Sequence, residues 1–205
     1  MKYITLSFDD GPNANVMSDM LDVLEFNRIP ASFFLVGNKI NEESAKVVRR
    51  AFKMGCDIQN HSFTHSDMSK MSIAMIQDEY EKTESLIEKC IGKRSEFFRP
   101  PYISVSGNMH KAIKVPFVAG KGCEDWLPEI TAKQRAERIL KSAEDGQIVL
   151  LHVMEENYAT VQAVKSVIPV LKSRGYEFVN LPELFRIKNI NPCIPSHIWT
   201  TVNIE

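Results

Sequence analysis

The chain alternates between short, continuously apolar runs and longer segments with helical periodicity. The first run, Tyr3–Pro12, has mostly apolar or β-branched positions followed by two adjacent carboxylates and a Gly-Pro pair. It is too short for an ordinary helix and predicts a buried strand. Gly11 and Pro12 end the strand, because proline lacks a ladder donor and glycine frees the backbone to turn. Asp9 and Asp10 are therefore expected side by side at the end of a core strand.

The same alternation continues almost to the end of the chain. Apolar runs predict further strands at residues 31–36, 56–60, 96–98, 115–119, 147–151 and 176–179. Apolar positions that recur on one helical face predict helices at 16–27, 42–54, 72–91, 131–143, 160–173 and 182–187. Continuously apolar strands alternating with helices are typical of a parallel sheet covered by helices.

We therefore predict an α/β fold, specifically a distorted (β/α)7–8 barrel of parallel strands. A barrel suits the chain better than an open sheet, because the polar candidates are spread over many strand ends. No linker, repeat or low-complexity segment interrupts the sequence, so residues 1–205 are expected to form a single domain. The tail 189–205 shows no clear period and is expected to pack on the barrel.

Composition excludes several classes of protein. The content of 44% hydrophobic and 25% charged residues is ordinary for a globular domain. With 25 basic against 26 acidic residues, the chain has no electrostatic footprint for nucleic acid. No apolar run is long enough to span a bilayer. We expect no nucleic-acid partner and no membrane span.

Compartment and cysteine state depend on each other. No charged-then-apolar leader precedes the first strand, so we expect a cytoplasmic protein, or an extracellular or cell-wall-associated one whose export signal has been trimmed. The four cysteines include no CxxC pair, which argues against a zinc ribbon or a thioredoxin-like motif. Free thiols are the expectation, and disulfides stay open if the protein is secreted.

The polar residues that stand out follow the predicted strands. They are Asp9 and Asp10 after the first strand, His61 and His65 after the third, Arg99 after the fourth, Asp125 and Trp126 after the fifth, and His152 after the sixth. In a parallel barrel these strand ends converge on one face, where substrate sites form. We expect the side chains to meet there.

His61 and His65 lie four residues apart, within reach of one metal ion if the segment is helical or turn-like. Two imidazoles and one carboxylate make an open metal site. Only one of Asp9 and Asp10 is needed as a ligand, which leaves the other free to act on an attacking water. The alternatives are hydrogen-bonding histidines and a pair of turn-forming and helix-capping aspartates.

Three further residues are candidates for the same site. Arg99 precedes two prolines and would offset the carboxylate pair as a buried cation, or it is a plain surface arginine. His152 is a candidate general acid, or a core histidine. Asp125 would orient His152 and raise its pKa, and Trp126 would wall a pocket. Their alternatives are an ordinary loop aspartate and a packing tryptophan.

Five segments, in this order and spacing, resemble a known set of motifs: SFDDGP, HSFTH, RPPY, DW and LLH. They are similar to the five motifs of the NodB-homology polysaccharide deacetylases, carbohydrate esterase family four. The resemblance covers Tyr3 to about Phe185, and the later segment SRGYEFVNLPELF is similar to the clostridial acetylxylan esterase branch. In the first motif Ser7 stands where threonine is usual, and Val153 follows the motif histidine where aspartate is frequent.

The resemblance implies a metal site and a base. Asp10, His61 and His65 would bind one divalent metal ion, zinc or cobalt. Asp9 would be the base that takes a proton from the attacking water, and Arg99 would hold Asp9 in place. A bound metal lowers the pKa of water towards about 7, which makes this chemistry feasible at neutral pH.

It also implies an acid and a substrate slot. His152 would protonate the leaving group, supported by Asp125. The backbone N–H of Tyr102 would stabilise the oxyanion together with the metal. Trp126 and Leu150 would line the slot for the acetyl methyl group.

The expected function is hydrolysis of acetyl groups on a carbohydrate polymer or oligomer by a metal-dependent enzyme. O-deacetylation of acetylated xylan is favoured, with N-deacetylation of N-acetylglucosamine polymers, such as peptidoglycan or chitin oligosaccharides, as the alternative. A non-catalytic carbohydrate-binding relative would be expected to have lost Asp9, His152 or a metal ligand. A metal-dependent phosphoesterase would be expected to carry several cationic groups near the metal, whereas the motifs here offer only Arg99. The partner is an acetylated polysaccharide, and a monomer is expected.

Overall fold

The computed structural model describes residues 1–203, and these form strands and helices in alternation. The strands are β1 (Lys2–Gly11), β2 (Ser32–Leu35), β3 (Asp57–Asn60), β4 (Phe117–Val118), β5 (Lys121–Gly122), β6 (Gln147–His152), β7 (Tyr176–Phe178) and β8 (Ile198–Trp199). The helices are α1 (Val16–Asn27), α2 (Ser44–Lys53), α3 (Ile73–Ile91), α4 (Gly107–Ala112), α5 (Ala132–Ser142), α6 (Tyr158–Ser173) and α7 (Leu181–Lys188).

β1 is the central strand. It pairs in parallel with β6 along one edge, from Ile4 opposite Gln147 to Asp9 opposite His152. Along its other edge it pairs with β7 near its start and with β2 near its end. The main sheet has the order β3-β2-β1-β6-β5, all parallel. The parallel α/β architecture predicted from the alternation of strands and helices is confirmed.

Two single-residue β-bridges, both made by Phe98, connect β3 to β4. Phe98 bridges to Asn60 on one side and to Phe117 on the other. β4 and β5 are two halves of one extended segment, separated at Gly120, where φ is +89°. Because β5 pairs with β6, the strands follow one another round a distorted barrel. The positive φ at Gly120 lets the two halves of the segment pair with different neighbours.

The predicted fourth strand, 96–98, is reduced to Phe98 alone. The backbone N–H groups of Glu96 and Phe97 donate to the side-chain oxygen of Gln59 at 2.9 and 2.8 Å, instead of to a neighbouring strand. Pro100 follows and cannot continue a ladder. The side chain of Gln59 therefore accepts the hydrogen bonds that a neighbouring strand would otherwise accept.

The carboxyl-terminal tail contributes a strand that the sequence pattern did not predict. Within it, β8 pairs in parallel with β4. Trp199 is buried, and its ring lies edge-on to Phe185 at a centroid distance of 4.9 Å. Residues 204–205 of the tail lie outside the described residues, and the extent of the domain, 1–205, stays a prediction.

Side chains alternate along β1 between two environments. Ile4, Leu6 and Phe8 belong to the apolar cluster that β1 shares with α1 and α6. The intervening side chains, which point into the barrel, are polar: Thr5, Ser7 and Asp9. The barrel interior therefore carries a polar row that ends at the carboxyl end of β1.

None of the helices in residues 1–203 has both the length and the apolar character needed to cross a membrane. All four cysteines are free thiols, with Cys56 and Cys123 buried and Cys193 exposed.

Candidate active site

Asp10, His61 and His65 lie together at the carboxyl ends of β1 and β3. One ligand atom from each lies within 4.8 Å of the others. Oδ1 of Asp10 is 3.3 Å from Nε2 of His65 and 3.8 Å from Nε2 of His61. Two imidazole nitrogens and one carboxylate oxygen facing one point form a donor set that suits a divalent transition metal.

The ring of His61 is fixed in the orientation that a metal ligand needs. Its Nδ1 lies 2.7 Å from the backbone oxygen of Arg99, which can only accept a hydrogen bond. Nδ1 therefore carries the hydrogen, and Nε2 is left with a free lone pair towards Asp10. Burial lowers the pKa of His61, against the opposing charges of Asp9 and Asp10, which favours the neutral ring that metals bind.

The segment from His61 to His65 is a turn held by side chains. Ser62 donates its backbone N–H to the side chain of Asn60, and its hydroxyl accepts from the backbone N–H of His65 at 3.0 Å. Glu79 accepts from two further backbone N–H groups of the turn. Ser62 and His65 both have positive φ, 67° and 60°. Such conformations are costly for side-chain-bearing residues and are found where surrounding contacts impose them.

Asp9 is buried in the barrel and paired with Arg99. Nη1 of Arg99 donates to Oδ1 of Asp9 at 2.5 Å, and Nη2 donates to the hydroxyl of Ser7 at 2.8 Å. Burial by itself would raise the pKa of Asp9, but the charge of Arg99, with smaller contributions from His61 and His152, lowers it below its usual value. Asp9 is therefore ionised at neutral pH, with Oδ2 left over, 3.6 Å from Nε2 of His61.

His152 lies across the site from the ligand set, opposite Asp9 in the register of β1 and β6. Asp125 accepts hydrogen bonds from both its backbone N–H and its ring Nδ1, each at 2.8 Å. Burial by itself would lower the pKa of His152, but Asp125, and to a smaller degree Asp9 and Asp10, raise it. The ring therefore holds its proton to higher pH than an ordinary histidine.

The three expected substrate-contacting residues surround this centre. Trp126 is 45% exposed and meets the ring of His152 edge-on at 5.5 Å, and Tyr102 is 68% exposed with its ring 4.8 Å from that of His65. Leu150 lies beside Trp126, since a Cβ built on Gly122 would be 3.3 Å from Trp126 and 3.8 Å from Leu150. Trp126, Leu150 and Gly122 form a small apolar wall next to the candidate acid.

Asp10 also lines a cavity of about 720 Å³. Its lining is mostly polar and comes from the loops after β1, β2 and β6, including Asn13, Asn15, Lys39, Asn41 and Glu155. Amide, ammonium and carboxylate groups of this kind can hydrogen-bond a polar ligand.

The structure thus brings together all ten residues that the sequence singled out, while their individual roles stay predictions. It also adds a buried layer that the sequence analysis missed. Thr160 donates its hydroxyl to Asp125 at 2.8 Å, Asn157 donates to the backbone oxygen of His152 at 3.0 Å, and both accept from Arg135. A signal existed in Arg135, which shares the buried face of α5 with Ala136 and Ile139.

Comparisons with known proteins identify the family of the chain. A family model described as polysaccharide deacetylase matches residues 1–115. A bifunctional xylanase/deacetylase from Pseudobutyrivibrio xylanivorans is 43% identical over 201 residues, which cover 98% of this chain. The chain spans only 33% of that relative's length, so it corresponds to one part of a larger protein there.

Two solved structures match nearly the whole chain. The Xyl-CE4 domain of a multidomain xylanase from the hindgut metagenome of Trinervitermes trinervoides has a TM-score of 0.96 and 42% identity, and the match covers 98% of each chain. A family 4 acetyl xylan esterase from Clostridium thermocellum, in complex with a cobalt ion, has a TM-score of 0.95 and 38% identity, with 99% of this chain and 100% of that chain covered. On the family model, the sequence relative and these structures together, the chain belongs to the polysaccharide deacetylases of carbohydrate esterase family four.

Proposed function

We propose that this chain is a metal-dependent esterase that removes O-acetyl groups from acetylated xylan. One observation carries the proposal: Asp9, held by Arg99, and His152, held by Asp125, flank the Asp10, His61 and His65 set. Arg99 lowers the pKa of Asp9 and Asp125 raises the pKa of His152, so the two groups can supply a base and an acid at the same pH. Hydrolysis of a sugar ester uses both, because the attacking water loses a proton and the leaving sugar oxygen gains one.

Asp9 is the proposed base. Its Oδ1 is occupied by Arg99, so Oδ2 is the oxygen free to accept a proton, and it faces the ligand set. Arg99 cannot give up its own proton at working pH, so the pair stabilises an ionised carboxylate instead of sharing a proton. Asp9 takes the proton of a water held for attack on the acetyl carbonyl.

His152 is the proposed acid. Asp125 occupies its Nδ1, so Nε2 is the nitrogen left to donate a proton to the sugar oxygen as it leaves. A sugar alkoxide is a poor leaving group, and protonation removes that barrier. The backbone N–H of Tyr102, in the turn beside His65, is the proposed donor to the oxyanion.

Asp10, His61 and His65 are the proposed metal ligands, and the neutral, oriented ring of His61 fits that role. When bound, a divalent cation supplies a Lewis acid that polarises the acetyl carbonyl and lowers the pKa of water. We propose zinc or cobalt, since mixed imidazole and carboxylate ligands suit both, and the Clostridium esterase contains cobalt.

Xylan is the proposed substrate because the relatives described above are a xylanase/deacetylase, the CE4 domain of a multidomain xylanase and an acetyl xylan esterase. The exposed rings of Tyr102 and Trp126 offer apolar faces to a sugar chain that crosses the site. Polymeric xylan does not enter cells, so we propose that the chain acts outside the cell or at the cell wall.

We also propose that the chain is a monomer, which sedimentation equilibrium tests.

The test compares acetate release from acetylated xylan and from N-acetylglucosamine oligomers. Enzyme stripped of metal with a chelator is reloaded with zinc or with cobalt, and Asp9→Asn and the exposed Asp19→Asn are assayed beside it. We expect metal-dependent release from xylan, lost in Asp9→Asn and retained in Asp19→Asn.

Release from the N-acetylglucosamine oligomers without release from xylan would replace the proposal with an N-deacetylase. Metal-independent release, or no release from either substrate while xylan still binds, would overturn the enzymatic role and favour a carbohydrate-binding one.

A further inference from the structure

A buried arginine lies behind the Asp125–His152 pair. Arg135, on α5, is 2% exposed. Its guanidinium donates to the side chains of Asn157 and Thr160, the latter at 2.9 Å. It belongs to none of the ion pairs formed within residues 1–203, so direct contact with a carboxylate does not explain its burial. A buried charge is costly unless its hydrogen-bonding groups have partners.

Thr160 connects Arg135 to Asp125. Its hydroxyl has one hydrogen, and Arg135 can only donate, so that hydrogen must point away from the arginine. It points to Oδ2 of Asp125, at 2.8 Å. Arg135 thereby fixes the direction of the hydroxyl, and the hydroxyl holds the carboxylate whose other oxygen orients the ring of His152.

Asn157 connects Arg135 to His152 by a second route. Its side-chain oxygen accepts from Arg135, which fixes the amide so that the NH₂ group faces away from the guanidinium. That NH₂ group donates to the backbone oxygen of His152 at 3.0 Å. The histidine is therefore held at its ring through Asp125 and at its backbone through Asn157, and both contacts lead to one guanidinium.

The same guanidinium also anchors the segment that follows Trp126. Its Nε donates to the backbone oxygen of Ile130 at 2.7 Å, and Nη2 donates to that of Leu127 at 3.1 Å. Lysine could not make this set of contacts, because a planar fork of donors is needed to reach four acceptors in different directions.

We propose that Arg135, acting through Thr160 and Asn157, is a positioning residue for the proton-donating His152. The inference rests on the proposed function, because it assigns His152 the role of acid. The three residues do not touch the reacting atoms. They hold Asp125 and His152 in the geometry that delivers a proton to the leaving sugar oxygen, where small displacements are costly.

Two substrates separate a positioning role from a purely structural one. Hydrolysis of an acetylated sugar expels a sugar alkoxide, a poor leaving group that needs the acid, whereas hydrolysis of 4-nitrophenyl acetate expels 4-nitrophenolate, a stable anion that does not. Loss of a general acid lowers the rate about 10²–10⁴-fold. We expect a misoriented His152 to lower the rate by about tenfold, a part of that effect. Such a loss should fall on acetylated xylan and spare 4-nitrophenyl acetate.

Thr160→Val is the first variant, because it removes one hydroxyl with little change of shape and leaves Arg135 in place. We expect kcat for acetylated xylan to fall about tenfold, with kcat for 4-nitrophenyl acetate within about twofold of wild type. Thr160→Ser restores the hydroxyl and is expected to restore xylan activity. The melting temperatures of both variants show whether the fold is retained.

Arg135→Met is the second variant, with the exposed Arg186→Met as its matched control, since among residues 1–203 the ion pair of Arg186 is with Glu183 of its own helix, α7. We expect Arg135→Met to lose xylan activity selectively and the control to keep it. Because Arg135 acts on Asp125 through Thr160, the losses of xylan activity in the double variant Arg135→Met/Thr160→Val should be less than additive.

Equal losses on both substrates would overturn the positioning role, as would wild-type rates in folded Thr160→Val, or failure of Thr160→Ser to restore the rate. An inactive wild-type enzyme would instead overturn the proposed function, so the two failures are distinguishable.

Discussion

Arg99 and Asp9 form an ion pair inside the barrel, with Nη1 of the arginine 2.5 Å from Oδ1 of the aspartate. The two side chains are 0% and 2% exposed. The guanidinium also lies over the ring of Phe34, 4.0 Å from its centroid. A charge pair buried this deeply has no water to replace a missing partner, so the stability of the barrel and the state of the proposed base depend on the same contact.

Arg99→Met is expected to destabilise the protein by about 3–5 kcal/mol, because it leaves Asp9 buried without a counter-charge. Since Arg99 lowers the pKa of Asp9, its removal raises that pKa. The low-pH limb of the kcat/KM profile should therefore move to higher pH. Urea unfolding and a pH–rate profile measure the two effects.

Arg99→Lys serves as the partner variant, because it keeps the charge and loses the fork that reaches both Asp9 and Ser7. Its shift of the low-pH limb should be smaller than that of Arg99→Met. If the methionine variant keeps the wild-type profile, Arg99 does not control the ionisation of Asp9.

Asp125→Asn should change the high-pH limb of the kcat/KM profile. Asp125 raises the pKa of His152, so its removal lowers that pKa and His152 loses its proton at lower pH. Activity on acetylated xylan should then decline at lower pH than in the wild type, while the low-pH limb stays in place. The kcat/KM profile on xylan measures both limbs, and an unmoved high-pH limb would separate Asp125 from the acid.

Metal binding should stabilise the native chain, since the ligand set is formed by folding. A ligand at 100 times its Kd stabilises the native state by about 2.7 kcal/mol, which raises the melting temperature by about 5–11 °C in a domain of this size. We expect zinc to raise the melting temperature of chelator-treated wild type and to have little effect on His65→Gln.

The exposed His197→Gln is the matched control for metal binding and should respond as the wild type does. Equal stabilisation of His65→Gln and wild type would place the bound zinc somewhere other than beside Asp10.

Asp57 links stability to pH at the other end of the barrel. It accepts hydrogen bonds from Ser32 and Gln59, but burial raises its pKa to about 6. Because the pKa in the folded state is above the ordinary value, this group favours folding at low pH, and that contribution is lost as pH rises through about 6. The difference in melting temperature between wild type and Asp57→Asn should therefore become less favourable to the wild type between about pH 4 and pH 7.

A carbon-13 NMR titration of the Asp57 carboxyl would report its pKa directly, and an ordinary value near that of free aspartate would contradict the prediction.

Much of the site could be predicted because its chemistry follows strand ends. The apolar runs before Asp9 and His152 placed both residues at the same face, and the structure pairs them across β1 and β6. Residue chemistry alone left open which of Asp9 and Asp10 serves as ligand, and the family resemblance implied Asp10. The geometry distinguishes them, since Arg99 contacts Asp9 and His65 lies nearest to Asp10.

Contacts made by side chains far apart in sequence could not be predicted. No local pattern shows that Gln59 would take the backbone donors of Glu96 and Phe97, which reduces a predicted strand to the single bridging residue Phe98. Nor does any pattern show that β8 would pair with β4. Arg135 stood on an apolar helix face, but its partners Asn157 and Thr160 lie more than 20 residues away, at separations of 22 and 25.

The central position of β1 has a consequence for any attempt to shorten the chain. A fragment ending near residue 115, where the family model ends, would contain Asp10, His61 and His65. It would lack β6, whose ladder covers β1 from Ile4 to Asp9, and so would leave a long apolar strand edge unpaired in water. Open edges of this kind recruit other chains. We expect such a fragment to aggregate although it carries every proposed metal ligand, so the first half of the chain is not a minimal enzyme.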